Sequence, residues 1–145
     1  MHPMELDQGS VQRSFRLSRV TSDLLDAAAA LSPESRNALA DRLLGEALRT
    51  DRHPRVRFRA GAAGRREPFL VGTRLAVRQV IATLADHGND VGATAEYFAV
   101  GPDVVRAAVS FYADFADEVD ADRRWAAQVE ASERARWERE QAALA

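Results

Sequence analysis

Apolar and polar residues change rhythm several times along the chain. Residues 13–19, RSFRLSR, alternate, with Phe15 and Leu17 on one face and Ser14, Arg16 and Ser18 on the other. A period of two predicts a short strand, preceded by a loose tail at 1–11. The rhythm then turns helical. Thr21 or Ser22 caps a helix from Ser22 to Leu31, with Leu24, Ala28 and Leu31 on one side. Ser32-Pro33 restarts the chain as N-cap and first helical position. That second helix runs to about Arg49, with Leu39, Leu43 and Ala47 on one stripe and Leu44 and Leu48 beside it. Both helices are too short to be stable alone, so their apolar faces need each other or another copy.

Residues 50–54, TDRHP, break the pattern. Arg55–Ala60 alternates again, Gly61 to Gly64 can turn, Phe69–Val71 returns, and Gly72 closes a hairpin. If Val56 and Phe58 point inward, Arg55, Arg57 and Arg59 share the outer face. Three helical segments follow: Val77–His87 ended by Gly88, the short Val91–Phe98, and Pro102–Phe115. Residues 118–145 are polar and helix-favouring, a helix of about 40 Å at 1.5 Å per residue. Its few large apolar residues are Trp125, Val129, Trp137 and Leu144. The expected fold is mainly α with small β elements. Its parts are a tail (1–11), a strand-and-two-helix unit (12–50), a basic hairpin (51–72), a trihelical domain (73–117) and a C-terminal helix (118–145).

Composition narrows the chemistry. The 145 residues include no Cys, which removes disulfides, thiol catalysis and cysteine zinc sites. His2, His53 and His87 have no i, i+4 spacing, and neither a phosphate-binding glycine loop nor a GxSxG motif occurs. The reading is a non-enzyme with no cofactor and no metal. The acidic run Asp117, Glu118, Asp120 and Asp122 suits a solvated helix start. There is no transmembrane-length apolar run and no secretion signal, so a cytoplasmic location is expected. The net charge of −2 conceals a split: residues 1–80 carry 14 Arg against 9 acids, and residues 81–145 carry 6 against 13. A positive front and a negative back suggest two partners of opposite character. Every basic residue is Arg, whose planar fork suits phosphate and guanine.

One strand and two helices make an incomplete unit. Two copies pairing antiparallel satisfy the strand and bury Phe15 and Leu17 twice, with Leu39 and Leu43 adding to the homodimer contact. The pattern resembles the ribbon-helix-helix proteins, dimers whose two-stranded ribbon enters the major groove. The resemblance implies that Arg13, Ser14, Arg16 and Ser18 face DNA. Arg16 paired bidentately with guanine is worth about 1–3 kcal/mol of discrimination. It also sets the start of the second helix, near Ser32, Glu34 and Ser35, beside phosphates. The alternative is a plain strand packed on its own domain. From Arg52 to Arg78 there are eight arginines and one acid, Glu67. Arg55, Arg57, Arg59, Arg65 and Arg66 can hold phosphates and position the protein without reading sequence. The alternative there is pairing with the acidic C-terminal half, of this chain or of a partner subunit.

Helices 91–98 and 102–115, joined by the tight turn AVGP, have the form of a helix-turn-helix. The second helix offers only Arg106 against Asp103, Asp114 and Asp117, a sign that repels nucleic acid, so a structural or protein-binding role is expected. Residues 66–116 contain FLVGTRLAVRQVIATLADHGNDVGATAEYFAVGPDVVRAAVSFYADF. Gly72-Thr73-Arg74 precedes a hydrophobic helix, a glycine precedes a short helix, and a third helix ends near Phe111 and Tyr112. This run resembles the family catalogued as domain of unknown function 433. The short helix departs from it, reading Val91-Gly92-Ala93-Thr94 where acidic residues are usual. The resemblance implies an antitoxin of a type II toxin–antitoxin system, binding its own promoter DNA and a cognate toxin with a PIN-like ribonuclease fold. Trp125 and Trp137 stand nearly alone on a charged helix, as interface anchors do. With Val129, Arg134 and Arg136 they are the expected toxin-binding residues, lying in a groove of the toxin. By the resemblance, Arg134, Arg136 and Arg139 enter its acidic site. The alternative folds one or both Trp back on the body or across a homodimer. Arg74 is expected in a buried salt bridge that fixes the following helix. Two rival readings remain: a DNA-binding regulator with no toxin, and a pure protein-interaction module.

Overall fold

The computed structural model describes residues 9–145, so most of the expected tail at 1–11 lies outside the described residues. The fold is mainly helical with one two-stranded sheet. The chain divides into two compact units, Met1–Leu43 and Leu44–Ala145.

In the first unit the alternating segment forms no strand. A strand needs a neighbour for its N–H and C=O groups, and the described residues offer 13–19 none. Helix α1 spans Arg19–Ala30 and begins three residues before the expected Ser22. Ser18 decides this: its Oγ accepts from the Thr21 N–H at 3.2 Å and donates to Thr21 Oγ1 at 3.0 Å. Ser18, expected on the DNA side, is thus the cap of α1. Helix α2 spans Arg36–Arg52 and starts later than the expected Ser32. Ser35 caps it by accepting from the Ala38 N–H at 3.1 Å. Ser32 instead accepts from the Glu34 N–H at 3.1 Å, and the Glu34 carboxylate takes a fork of Arg42 at 2.9–3.1 Å.

In the second unit, strand β1 (Val56–Ala60) pairs antiparallel with β2 (Arg66–Leu70). Val56 faces Leu70 and Phe58 faces Pro68 on the core side, where Phe58 meets the Phe111 ring edge-on at 6.3 Å. Strand β2 starts at Arg66, before the expected Phe69, because Arg66 and Glu67 pair with Ala60 and Arg59. The turn between them places Ala63 at φ 56° and Gly64 at φ 75°, left-handed positions that glycine takes without a Cβ penalty.

Three helices complete this unit: α3 (Val77–Asp86), α4 (Val91–Phe98) and α5 (Pro102–Ala143). The Gln79 side chain accepts the Ala76 N–H at 2.8 Å at the start of α3, and Asp90 Oδ1 accepts the Ala93 N–H at 2.9 Å at the start of α4. Pro102 opens α5, where its missing N–H costs nothing. Phe115 breaks the helical path of α5 (φ −131°, ψ 41°), at the boundary expected between the trihelical part and the C-terminal helix. The core joins the hairpin to all three helices through Val56, Leu70, Val77, Val80, Ile81, Leu84, Ala95, Val105, Ala108, Phe111 and Val119. From Glu130 to the end every residue is exposed.

Candidate functional site

The alternation in β1 puts Arg55, Arg57 and Arg59 on the outer face, and the carboxylates of the same unit reach most of the hairpin arginines. Arg55 is hydrogen-bonded to Asp103 at the start of α5. Arg59 holds Glu67 across the hairpin at 3.1 Å. Arg65 holds Asp122 at 3.1 Å and lies over the Trp125 ring at 5.5 Å. Arg66 forks onto Glu46 at 3.0 and 2.7 Å. Four of the five arginines expected to hold phosphates are therefore ion-paired within the chain.

These pairs have a packing reason. Glu67 is only 8% exposed, and a charge so buried is costly unless it is paired and hydrogen-bonded. Arg59 supplies one, and the Arg78 Nε a second at 3.4 Å. Gly61 makes room for it, since a Cβ there would come within 2.7 Å of the Glu67 carboxyl carbon. Asp122 is also buried, and loss of water pushes its carboxyl above the usual range against the pull of Arg65. The exposed Asp103 is held below that range by its hydrogen bond from Arg55.

Two arginines of this region differ. Arg57 is exposed, opposite Phe69 in the register, and no carboxylate among the described residues meets it. Arg74, expected in a buried salt bridge, is exposed and forms no ion pair among the described residues. Its backbone carbonyl accepts from Arg59 Nη2 at 2.9 Å. The segment that follows is fixed by Thr73 instead, whose hydroxyl donates to the Leu70 carbonyl at 2.8 Å and accepts the Leu75 N–H at 3.0 Å.

In the first unit Arg13, Ser14 and Arg16 are exposed. So are Phe15 at 65%, Leu17 at 46% and Leu43 at 42%, whereas Leu39 is buried. The start of α2 does not present a free Glu34, which Arg42 holds.

The expected toxin-binding set splits. Trp125 is half-buried beneath Arg65, its indole Nε1 enclosed without an acceptor among the described residues, and Val129 is half-buried. Arg134, Arg136 and Trp137 are exposed, with Arg134 near Glu130 at 3.4 Å and Arg136 near Glu140 at 3.6 Å. Of the two tryptophans, only Trp137 is exposed.

Two features escaped the sequence reading. His53, assigned to a loop, is buried between the Phe111 and Phe115 rings and lies 2.7 Å from Asp114. An open groove of about 810 Å³ runs along α3, the end of α4 and the middle of α5, lined by Arg78, Thr83, Tyr97, Tyr112 and Arg123 among others. The Tyr112 hydroxyl donates to Asp120 at 3.0 Å, which raises its pKa. Three separate helices supply this groove, so no sequence spacing announced it. Among the described residues no three His, Asp or Glu gather to hold a metal ion, and no helix is long and apolar enough to cross a membrane. Comparison with known proteins gives no match, whether to a protein family, a curated protein or a solved structure.

Proposed function

We propose that this chain is an antitoxin-like transcriptional regulator. In this reading two copies pair through residues 13–19 and the faces of α1 and α2, and the paired segment reads promoter DNA. The observation that carries it is the apolar surface of the first unit. Phe15, Leu17, Val20, Leu24 and Leu31 are 46–91% exposed. Val20, Leu24 and Leu31 recur along one side of α1. Burying one such side chain contributes about 1.5–3 kcal/mol, and a second copy buries each set twice. Arg13, Ser14 and Arg16 sit on that segment with no partner among the described residues, which suits contacts to base edges and phosphates. The exposed helix bearing Arg134, Arg136 and Trp137 supports the toxin-binding part of the reading, which otherwise rests on the family resemblance.

Light scattering on Phe15→Asp tests the pairing. Monomers are expected where the wild type is dimeric, and an intact dimer removes the ribbon. A second reading, a protein-interaction module, is favoured by the ion pairing of Arg55, Arg59, Arg65 and Arg66. Anisotropy on the upstream DNA and on scrambled DNA separates the two. Preference for the upstream duplex supports the regulator, and absence of binding at low salt supports the module.

A further inference from the structure

We infer that the outer face of the hairpin contacts the phosphodiester backbone through Arg57 and Arg74, and not through the arginine row as a whole; this rests on the DNA-binding reading above. Carboxylates of the chain already neutralise most of the row. Asp103, Glu67, Asp122 and Glu46 occupy Arg55, Arg59, Arg65 and Arg66. A guanidinium held in such a pair adds little net charge toward a polyanion. Arg57 and Arg74 keep theirs.

The two border one surface. Arg57 and Arg59 lie on the same side of β1, about 7 Å apart along the strand. The Arg59 guanidinium lies 4.9 Å over the Phe69 ring and donates onward to the Arg74 carbonyl at 2.9 Å. Arg59 and Phe69 therefore form a fixed plate, with Arg57 along the strand from it and Arg74 across from it. No side-chain contact joins Arg57 to Arg74, so they act as two separate charges. Two separated charges on an exposed face suit a partner whose own charges repeat along a backbone. Neither side chain is part of an ion pair among the described residues, so both can be replaced without leaving a buried carboxylate alone.

The test is anisotropy of the full chain on its upstream duplex and on a scrambled duplex, across a salt series. Arg57→Ala with Arg74→Ala should weaken binding to both duplexes equally and flatten the log–log salt slope by about 1.8, at about 0.9 for each phosphate no longer neutralised. The double lysine variant should restore most of the slope, because holding a phosphate needs charge more than a fork. Removing the Arg55–Asp103 pair as a unit (Arg55→Gln, Asp103→Asn) should leave the slope unchanged. A double alanine variant with the wild-type slope overturns this inference and leaves the DNA-binding reading standing. A wild type that binds neither duplex at low salt overturns both. A wild type that prefers polyglutamate to duplex overturns the inference in favour of an acidic protein partner.

Discussion

Residues 11–31 and the hairpin-and-helix body treat their apolar side chains in opposite ways. In the body Val56, Leu70, Val77, Val80, Val105, Phe111 and Val119 are at most 1% exposed. In the first region Val11, Phe15, Leu17, Val20, Leu24 and Leu31 remain between 46% and 91% exposed. The charges follow the same division. Four hairpin arginines of the body are held by its carboxylates, whereas Arg13 and Arg16 meet none among the described residues. The body buries its core within one chain; the first region has the residue pattern of a core without an opposing surface among the described residues. The proposed pairing of two copies would act on this first region and leave the body unchanged.

The comparison can be broken most severely at Phe111, which is fully buried against Phe58, His53 and Phe115. Phe111→Ala should cost about 3–5 kcal/mol in chemical denaturation, independent of protein concentration. A loss that depends on concentration would mean that the body, too, leans on a second copy. The two tryptophans give the next contrast. Trp125→Ala should cost about 1.5–3 kcal/mol because it removes a half-buried ring under Arg65. Trp137→Ala should change stability by less than about 0.5 kcal/mol. Equal losses would place Trp137 against the body after all.

The smallest effect concerns Asp122. Its pKa is raised by burial, so the folded state disfavours the ionised form relative to the unfolded chain. Its contribution is fully present below the unfolded value near 3.8 and is lost as pH rises through the folded pKa. Asp122→Asn does not titrate there. Its stability should therefore gain on that of the wild type as pH rises from below 4 toward neutrality, as read by thermal unfolding. A variant that instead loses ground to the wild type over that range would mean that Arg65 outweighs the burial.

Much of the body was legible because its signals are local. The alternation of Val56 and Phe58 with arginines gave the hairpin and its faces, and Gly88 and Pro102 marked helix ends. The fate of the arginines was not legible. Asp103 lies 48 residues from Arg55 and Asp122 lies 57 from Arg65, so only the folded chain pairs them. The period of two in residues 13–19 was equally plain, but a strand is a property of two segments and the described residues place no second one beside it. Helix starts shifted because Ser18 and Ser35 compete with Thr21, Ser22 and Ser32 for the same capping role, and sequence does not rank them.

The outer half of α5 fixes a bearing as well as a reach. Beyond Phe115 the helix carries no further break. Trp125 is seated on the body, and Trp137 follows twelve residues later. At about 100° and 1.5 Å per residue, Trp137 stands about 18 Å farther out and a third of a turn around the axis. The exposed indole is thus presented at a set compass angle, like the bit of a key on its shank. Inserting one residue between the two would barely lengthen the shank, and would turn the bit by about 100°.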